Sequence, residues 1–269
     1  MKRLFPLEFL YMTLTLLLTV VVVQSVYMTL IRPRAEAALA AQEAHFKQDP
    51  THTPPRSIYV ILRDYEQETA FILAIWSGFI LAYRGLAVAR ERSLLEQDFV
   101  GIRDGQVLFP EDSREFMRRI EALPAERQAH LLPRTIAAAL NRFGATGSIQ
   151  DAATAVRDEC EFEASKLDAE LSMVRFTVWA IPAVGFVGTV RGIGAALQEA
   201  QRAAAGDVTG VTHGLGVTFN ATLTALILCI VVMFFLHQLQ MAQDRLVLDT
   251  KRYLDLRLVR HFRTQHLAV

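Results

Sequence analysis

The chain has 269 residues with 28 basic and 28 acidic side chains, so its balanced charge excludes a globally basic nucleic-acid binder. Its apolar residues, 52% of the total, fall in blocks long enough to cross a bilayer, which excludes an ordinary soluble domain. Two cysteines, Cys160 and Cys229, cannot build a disulfide framework, and they read as ordinary small residues.

Residues 1–31 form the first expected transmembrane helix, headed by Lys2 and Arg3 on a short N-terminus. Ala38-Leu39-Ala40 has the form of a signal-peptidase site. The apolar run is too long for a signal peptide, however, and Arg32, Arg34 and Glu36 separate it from that site, so the segment reads as an uncleaved anchor. Residues 32–68 form a polar segment with both signs of charge and a Pro54-Pro55 break. Asp64, Glu66 and Glu68 lead into the second span, 69–89, which finishes on Tyr83 and Arg84 with Arg90 and Arg92 beyond.

Residues 90–172 read as amphipathic helices cut by Pro110, Pro124, Pro133 and the Gly144–Gly147 turn. Ser148 with Asp151 predicts an N-cap, and the helix it opens meets no breaker before the third span, 173–197. A short connection, 198–213, carries Gly206-Asp207 and Gly210. The fourth span, 214–237, is expected to continue as an amphipathic C-terminal helix over 238–269. Lys and Arg crowd 91–171 and the C-terminal tail, whereas the short connection holds only Arg202. The positive-inside rule then places both termini and 90–172 in the cytoplasm, with 32–68 and 198–213 on the periplasmic side. The expected fold is all-α: a polytopic membrane protein with four transmembrane helices and an elongated helical cytoplasmic domain.

The third span is unusual for a lipid-facing helix, because Pro182, Gly185, Gly188, Gly192 and Gly194 replace the Leu and Ile of a plain anchor. Val178, Pro182, Gly185, Thr189, Gly192 and Ala196 share one face, and Gly188-xxx-Gly192 has the spacing of a tight helix crossing. Such a stripe is either a packing seam or a face toward a channel or partner helix. In the fourth span Gly214, Thr218, Ala221/Thr222, Ala225 and Cys229 form a second small face. Thr189 lies eight residues before Leu197 and Thr222 eight after Gly214, so both sit about 12 Å below the outer surface. They form one polar belt, unless each hydroxyl merely bonds back to its own helix.

Asn220 and Thr224 lie on another side of the fourth helix, placed to bridge to a neighbour. Arg191 points roughly opposite Thr189 and is expected to snorkel or to pair with Glu199 or an acid of a partner. His237 reads as an interfacial residue. No Asp or Glu lies within the interior of any predicted span, Glu8 falling at the head of the first, so a titrating group for ion transfer has to come from another chain. No CxxC, HExxH, P-loop or GxSxG motif occurs. The sequence therefore offers no catalytic constellation, cofactor motif or metal site, and an enzyme is not expected.

Ile181-Pro-Ala-Val-Gly-Phe-Val-Gly-Thr-Val-Arg-Gly-Ile193, supported by Gly214-Leu-Gly-Val-Thr-Phe-Asn-Ala-Thr-Leu-Thr-Ala-Leu226, resembles the signature of the MotA/TolQ/ExbB proton-channel family over about residues 172–240. The resemblance implies a homopentamer in the bacterial inner membrane whose last two spans line a central pore. It implies a partner dimer threaded through that pore, each partner chain bringing one intramembrane Asp on a single span and a periplasmic domain. Thr189 and Thr222, with Thr218, match the family's pore-side hydroxyls, and Pro182 its pore-side proline. The transported ion is H+ or Na+. The chain departs from both familiar branches. ExbB- and TolQ-type proteins usually have three spans and an acid where Val217 stands, while flagellar stators have four spans but usually lack Gly-Thr-Val-x-Gly-Ile. The expected function is a channel subunit of an ion-driven rotary motor. The alternative is a non-conducting helical scaffold for an envelope complex. A secondary transporter would show an internal repeat and its own charged site, and neither is read here.

Overall fold

The computed structural model describes residues 7–48, 57–102 and 106–264. Among these, regular structure is helical apart from one isolated bridge between Leu108 and Phe262. Four helical stretches are long and apolar enough to cross a membrane: Phe9–Gln42, Tyr65–Leu94, Ile149–Gln198 and Thr209–His261. The chain divides into two compact units, Met1–Ala82 with Met173–Leu236, and Tyr83–Ser172 with His237–Val269.

The first unit begins with α1 (Leu7–Val26), a π-helical turn over Tyr27–Ile31, and α2 (Arg32–Gln48). Thr15, Thr19, Val23, Tyr27, Ile31 and Ala35 are buried at a constant spacing of four. A plain α-helix would rotate that stripe away from its neighbour, because four residues overshoot a turn of 3.6. The wider π turn, closed by the Arg32 N–H on Tyr27 O, restores the alignment. Pro33 follows directly on the π turn inside this continuous helix and brings no N–H to its hydrogen-bond ladder. The segment read as merely polar is thus helical as far as Gln48, while the Pro54-Pro55 break lies outside the described residues.

After the short α3 (Ile58–Leu62) comes α4 (Tyr65–Leu94), which starts four residues ahead of the expected second span and so takes in Glu66 and Glu68. Phe71 and Ile72 of α4, with Leu62 of α3, pack against Val23 of α1 and Tyr27 and Ile31 of the π turn. Polar contacts fix the register: Trp76 Nε1 donates to Met12 O at 3.0 Å, and Arg32 pairs with Glu68 at 2.5 Å. The unit is completed by α9 (Ser172–Gln198), α10 (Ala200–Ala204) and the first part of α11 (Thr209–Arg257). Leu14, Leu17, Val21, Phe186, Ile230 and Phe234 point outward, the apolar exterior that a bilayer requires.

The second unit has α5 (Ser113–Glu121), α6 (Ala125–Gln128), α7 (Leu131–Thr146) and α8 (Ile149–Glu170) around one core. Phe116, Ile120, Ile136, Leu140, Phe143, Val156 and Leu254 fill it, and Phe143 stacks on Phe262 at 4.0 Å. Burying each such side chain contributes about 1.5 to 3 kcal/mol. Pro133 does not cut a helix, because it stands in the first turn of α7, where no intrahelical donor is lost. Gly147 ends α7 with φ 66°, and Ser148 Oγ accepts from Asp151 N at 3.2 Å to open α8.

Two expectations change here. The helix opened by Ser148 is interrupted at Leu171, whose N–H turns back to Asp168 O at 3.2 Å while its side chain is fully buried. The C-terminal helix ends at Arg257, because Leu108 N–H bonds His261 O and Arg263 N–H bonds Leu108 O, drawing the chain into the isolated bridge.

Candidate functional site

The site is built by α9 and α11, which touch along their small stripes in opposite directions. A Cβ on Gly185 would stand 2.6 Å from Ala225 Cβ, and one on Gly188 would stand 2.5 Å from Ala221 Cβ. A Cβ on Gly192 would overlap Thr218 Oγ1, and one on Gly214 would stand 2.8 Å from Ala196 N. Glycine is required at these places by close approach of backbones. By contrast Gly194 and Gly216 face open space. The stripe of the third span is therefore a packing seam within the chain.

At the margin of that seam the two threonines meet. Thr189 Oγ1 and Thr222 Oγ1 are 2.5 Å apart, both half-buried. Each also reaches a backbone carbonyl: Thr189 to Gly185 O at 3.2 Å, and Thr222 to Gly185 O and Thr218 O, both at 3.3 Å. Belt and back-bonding thus coexist. Two hydroxyls carry two protons, of which one lies between the oxygens and the other goes to a carbonyl. Lone pairs remain for an outside donor or a cation. Thr218 is buried one turn away and donates to Gly214 O at 3.0 Å.

Pro182 sits inside α9 without an N–H, so the carbonyl of Val178 has lost its regular donor. Cys229 takes that place, its Sγ 3.3 Å from Val178 O. Sequence reading passed over Cys229, although a signal existed. The register that pairs Gly185 with Ala225 carries Val178 two turns along to the neighbourhood of Cys229.

Asn220 is half-buried and Thr224 buried, and among the described residues neither hydrogen-bonds to another helix of this chain. The seam is occupied instead by Thr218, Ala221 and Ala225. A polar link between helices does occur elsewhere, where Ser77 and Thr177, both buried, lie 2.5 Å apart between α4 and α9.

The charge on Arg191 finds a different partner from those expected. Glu199 is engaged with Arg202 at 3.0 Å, and Arg191 instead grips Glu66 of α4, with Asp64 at 3.9 Å. Glu66 packs against the Gly188 position of α9, one residue from Thr189. A carboxylate of this chain thus reaches the turn of α9 that carries the hydroxyl pair, which the sequence reading had excluded. No pattern in the sequence links positions so far apart.

Residues 127–252 match the model of the MotA/TolQ/ExbB proton channel family. The resemblance read from the two small spans is confirmed, and the match extends well upstream of them, over α7 and α8. No curated protein and no solved structure matches the chain. The MotA/TolQ/ExbB match embraces the whole α9–α11 seam, with Pro182, Thr189, Thr218 and Thr222 inside it. The family so matched is one of membrane proton channels, and the match covers 126 of the 269 residues.

Proposed function

We propose that this chain is the ring subunit of an ion-driven rotary motor in a bacterial inner membrane. Five copies form the ring, with α9 and α11 innermost and both termini in the cytoplasm. A dimer of single-span partners passes through the pore, each partner chain carrying one intramembrane Asp and a periplasmic domain. The ion is H+ or Na+. The partner Asp stands beside the Thr189–Thr222 pair, whose spare lone pairs accept from its protonated form or coordinate the arriving cation. Neutralisation removes the penalty of a charge in a low-dielectric site, and release restores it. Each change alters which ring subunit the Asp prefers, so the ring steps around the partner.

The observation that carries this reading is the direct contact of Thr189 with Thr222 inside the family-matched seam. Glycine and alanine would pack the seam without them. The test uses the complex captured through this chain from native membranes and reconstituted in vesicles. Thr189→Val with Thr222→Val keeps the shape and removes both hydroxyls. H+ or Na+ flux is expected to vanish while native mass spectrometry still counts five copies. Undiminished flux removes the belt from the mechanism, and flux lost together with the ring returns both residues to packing.

A further inference from the structure

Arg191 stands two residues after Thr189 on α9, so its side chain leaves on nearly the opposite side of the helix. The guanidinium is then roughly one helix width, about 10 Å, from the hydroxyl pair. A positive charge at that range is screened in water but is felt among apolar helices. It would oppose any cation resting at the belt.

The structure supplies the counter-charge. Arg191 Nε lies 2.7 Å from Glu66 Oε1 and Arg191 Nη2 lies 2.8 Å from Glu66 Oε2, so one guanidinium takes both carboxylate oxygens. The Glu66 side chain is 10% exposed against 48% for Arg191, so the acid is the inserted member. Gly188 makes the room: a Cβ there would stand 3.2 Å from Glu66 Cγ. The other charges nearby are already engaged. Asp64 backs the pair and touches Arg63 at 3.5 Å, and Glu68 turns to Arg32. From Gly214 to Leu236, α11 contributes no charged residue.

We propose that Glu66 is a charge-compensating residue for the ion path: by clamping Arg191 it holds the surroundings of the Thr189–Thr222 belt neutral to a passing cation. The inference rests on the ion-flux reading of the belt. It differs from a mere staple between α4 and α9 in one respect. Replacing both partners by neutral residues removes a staple but restores neutrality.

Two measurements separate these. In the full-length ring carrying Cys160→Ser and Cys229→Ser, the Thr222→Cys thiol is titrated by its reaction rate with methyl methanethiosulfonate across pH. Adding Glu66→Gln leaves Arg191 only Asp64, 3.9 Å away and shared with Arg63, and this undercompensated charge stabilises the thiolate and lowers its midpoint by about one pH unit. Adding Arg191→Gln as well returns it. Arg191→Gln alone, which leaves Glu66 negative, raises the midpoint and serves if the Glu66→Gln ring does not assemble. In vesicles holding the native complex, Glu66→Gln is expected to cut H+ or Na+ flux about tenfold, and the double neutral variant to recover most of it. A midpoint that ignores Glu66→Gln and Arg191→Gln overturns the inference, as does flux lost equally in the single and double variants. If the wild-type complex passes neither ion, the motor reading falls, and the thiol titration still decides whether Glu66 sets the charge at the belt.

Discussion

Gly192 of α9 lies so close to Thr218 of α11 that a Cβ would overlap the threonine hydroxyl, and the Gly214 carbonyl would be only 2.7 Å away. Two residues further along the same helix, a Cβ on Gly194 would have nothing within 4 Å. The two glycines are alike in sequence and opposite in role.

Gly192→Ala is therefore expected to force the helices apart and lower the thermal midpoint of the detergent-solubilised protein, at a cost of roughly 1 to 3 kcal/mol. Gly194→Ala removes backbone freedom from a helix without a clash and is expected to be neutral or stabilising by under about 1 kcal/mol. Equal midpoints for the two variants would mean that the seam is not the close contact described.

How much of this was legible beforehand differs by feature, for physical reasons. The four apolar runs and the small faces of α9 and α11 follow from composition and helical period, which are local. That the two faces meet was half legible, because equal depth of Thr189 and Thr222 follows from counting residues in antiparallel helices. The wheel gave the face of Gly185 and Gly192 but not what faces it. The Glu66–Arg191 pair was invisible, since nothing local joins residues 125 positions apart. Pro133 misled because a proline's meaning depends on whether it falls in the first turn of a helix or within it. The turn at Leu171 was unreadable, having neither glycine nor proline to announce it.

A second prediction concerns acid stability of the second unit. Glu163 is 5% exposed and receives Arg134 Nη2 at 2.9 Å and Lys166 Nζ at 3.1 Å. Burial pushes its carboxyl up, but these hydrogen bonds and charges outweigh burial and hold it below the usual carboxylate range. A depressed carboxylate stabilises the fold fully above its unfolded pKa, about 4.3, and that contribution is lost as pH falls through the folded value. The helical signal of the unit is expected to weaken below about pH 4, and Glu163→Gln should flatten that dependence. Arg134→Ala leaves the buried carboxylate to Lys166 alone and is expected to cost roughly 1.5 to 3 kcal/mol near neutral pH. Unchanged acid sensitivity in Glu163→Gln would assign the transition to other groups.

Topology gives a third prediction, motivated by the crowding of Lys and Arg in 91–171 against the single Arg202 of the short connection. Single cysteines placed between Arg32 and Glu66 are expected to react with an impermeant maleimide added to cells from outside. Cysteines placed between Glu91 and Leu171 should react only after permeabilisation. The reverse pattern would invert the membrane orientation and move the helical unit to the outside.

The last prediction follows from Pro182 and Cys229. A helix carbonyl normally accepts the N–H four residues on, and at Val178 that residue is Pro182, which has none. Cys229 Sγ fills the position at 3.3 Å, a weak donor on an otherwise orphaned acceptor. Cys229→Ala should leave the carbonyl unsatisfied and cost about 1 kcal/mol. Cys229→Ser keeps a donor and should cost less. The informative comparison is made in a Pro182→Ala background, where an N–H returns to Val178 O and the thiol becomes redundant. There Cys229→Ala is expected to cost close to nothing beyond the lost sulfur volume, so the two sites should be coupled in a double-mutant cycle by about 1 kcal/mol. Denaturation of the four proteins in the same detergent measures it. If Cys229→Ala costs the same with and without the proline, the thiol serves only as filling between the helices and the freed carbonyl is satisfied in another way.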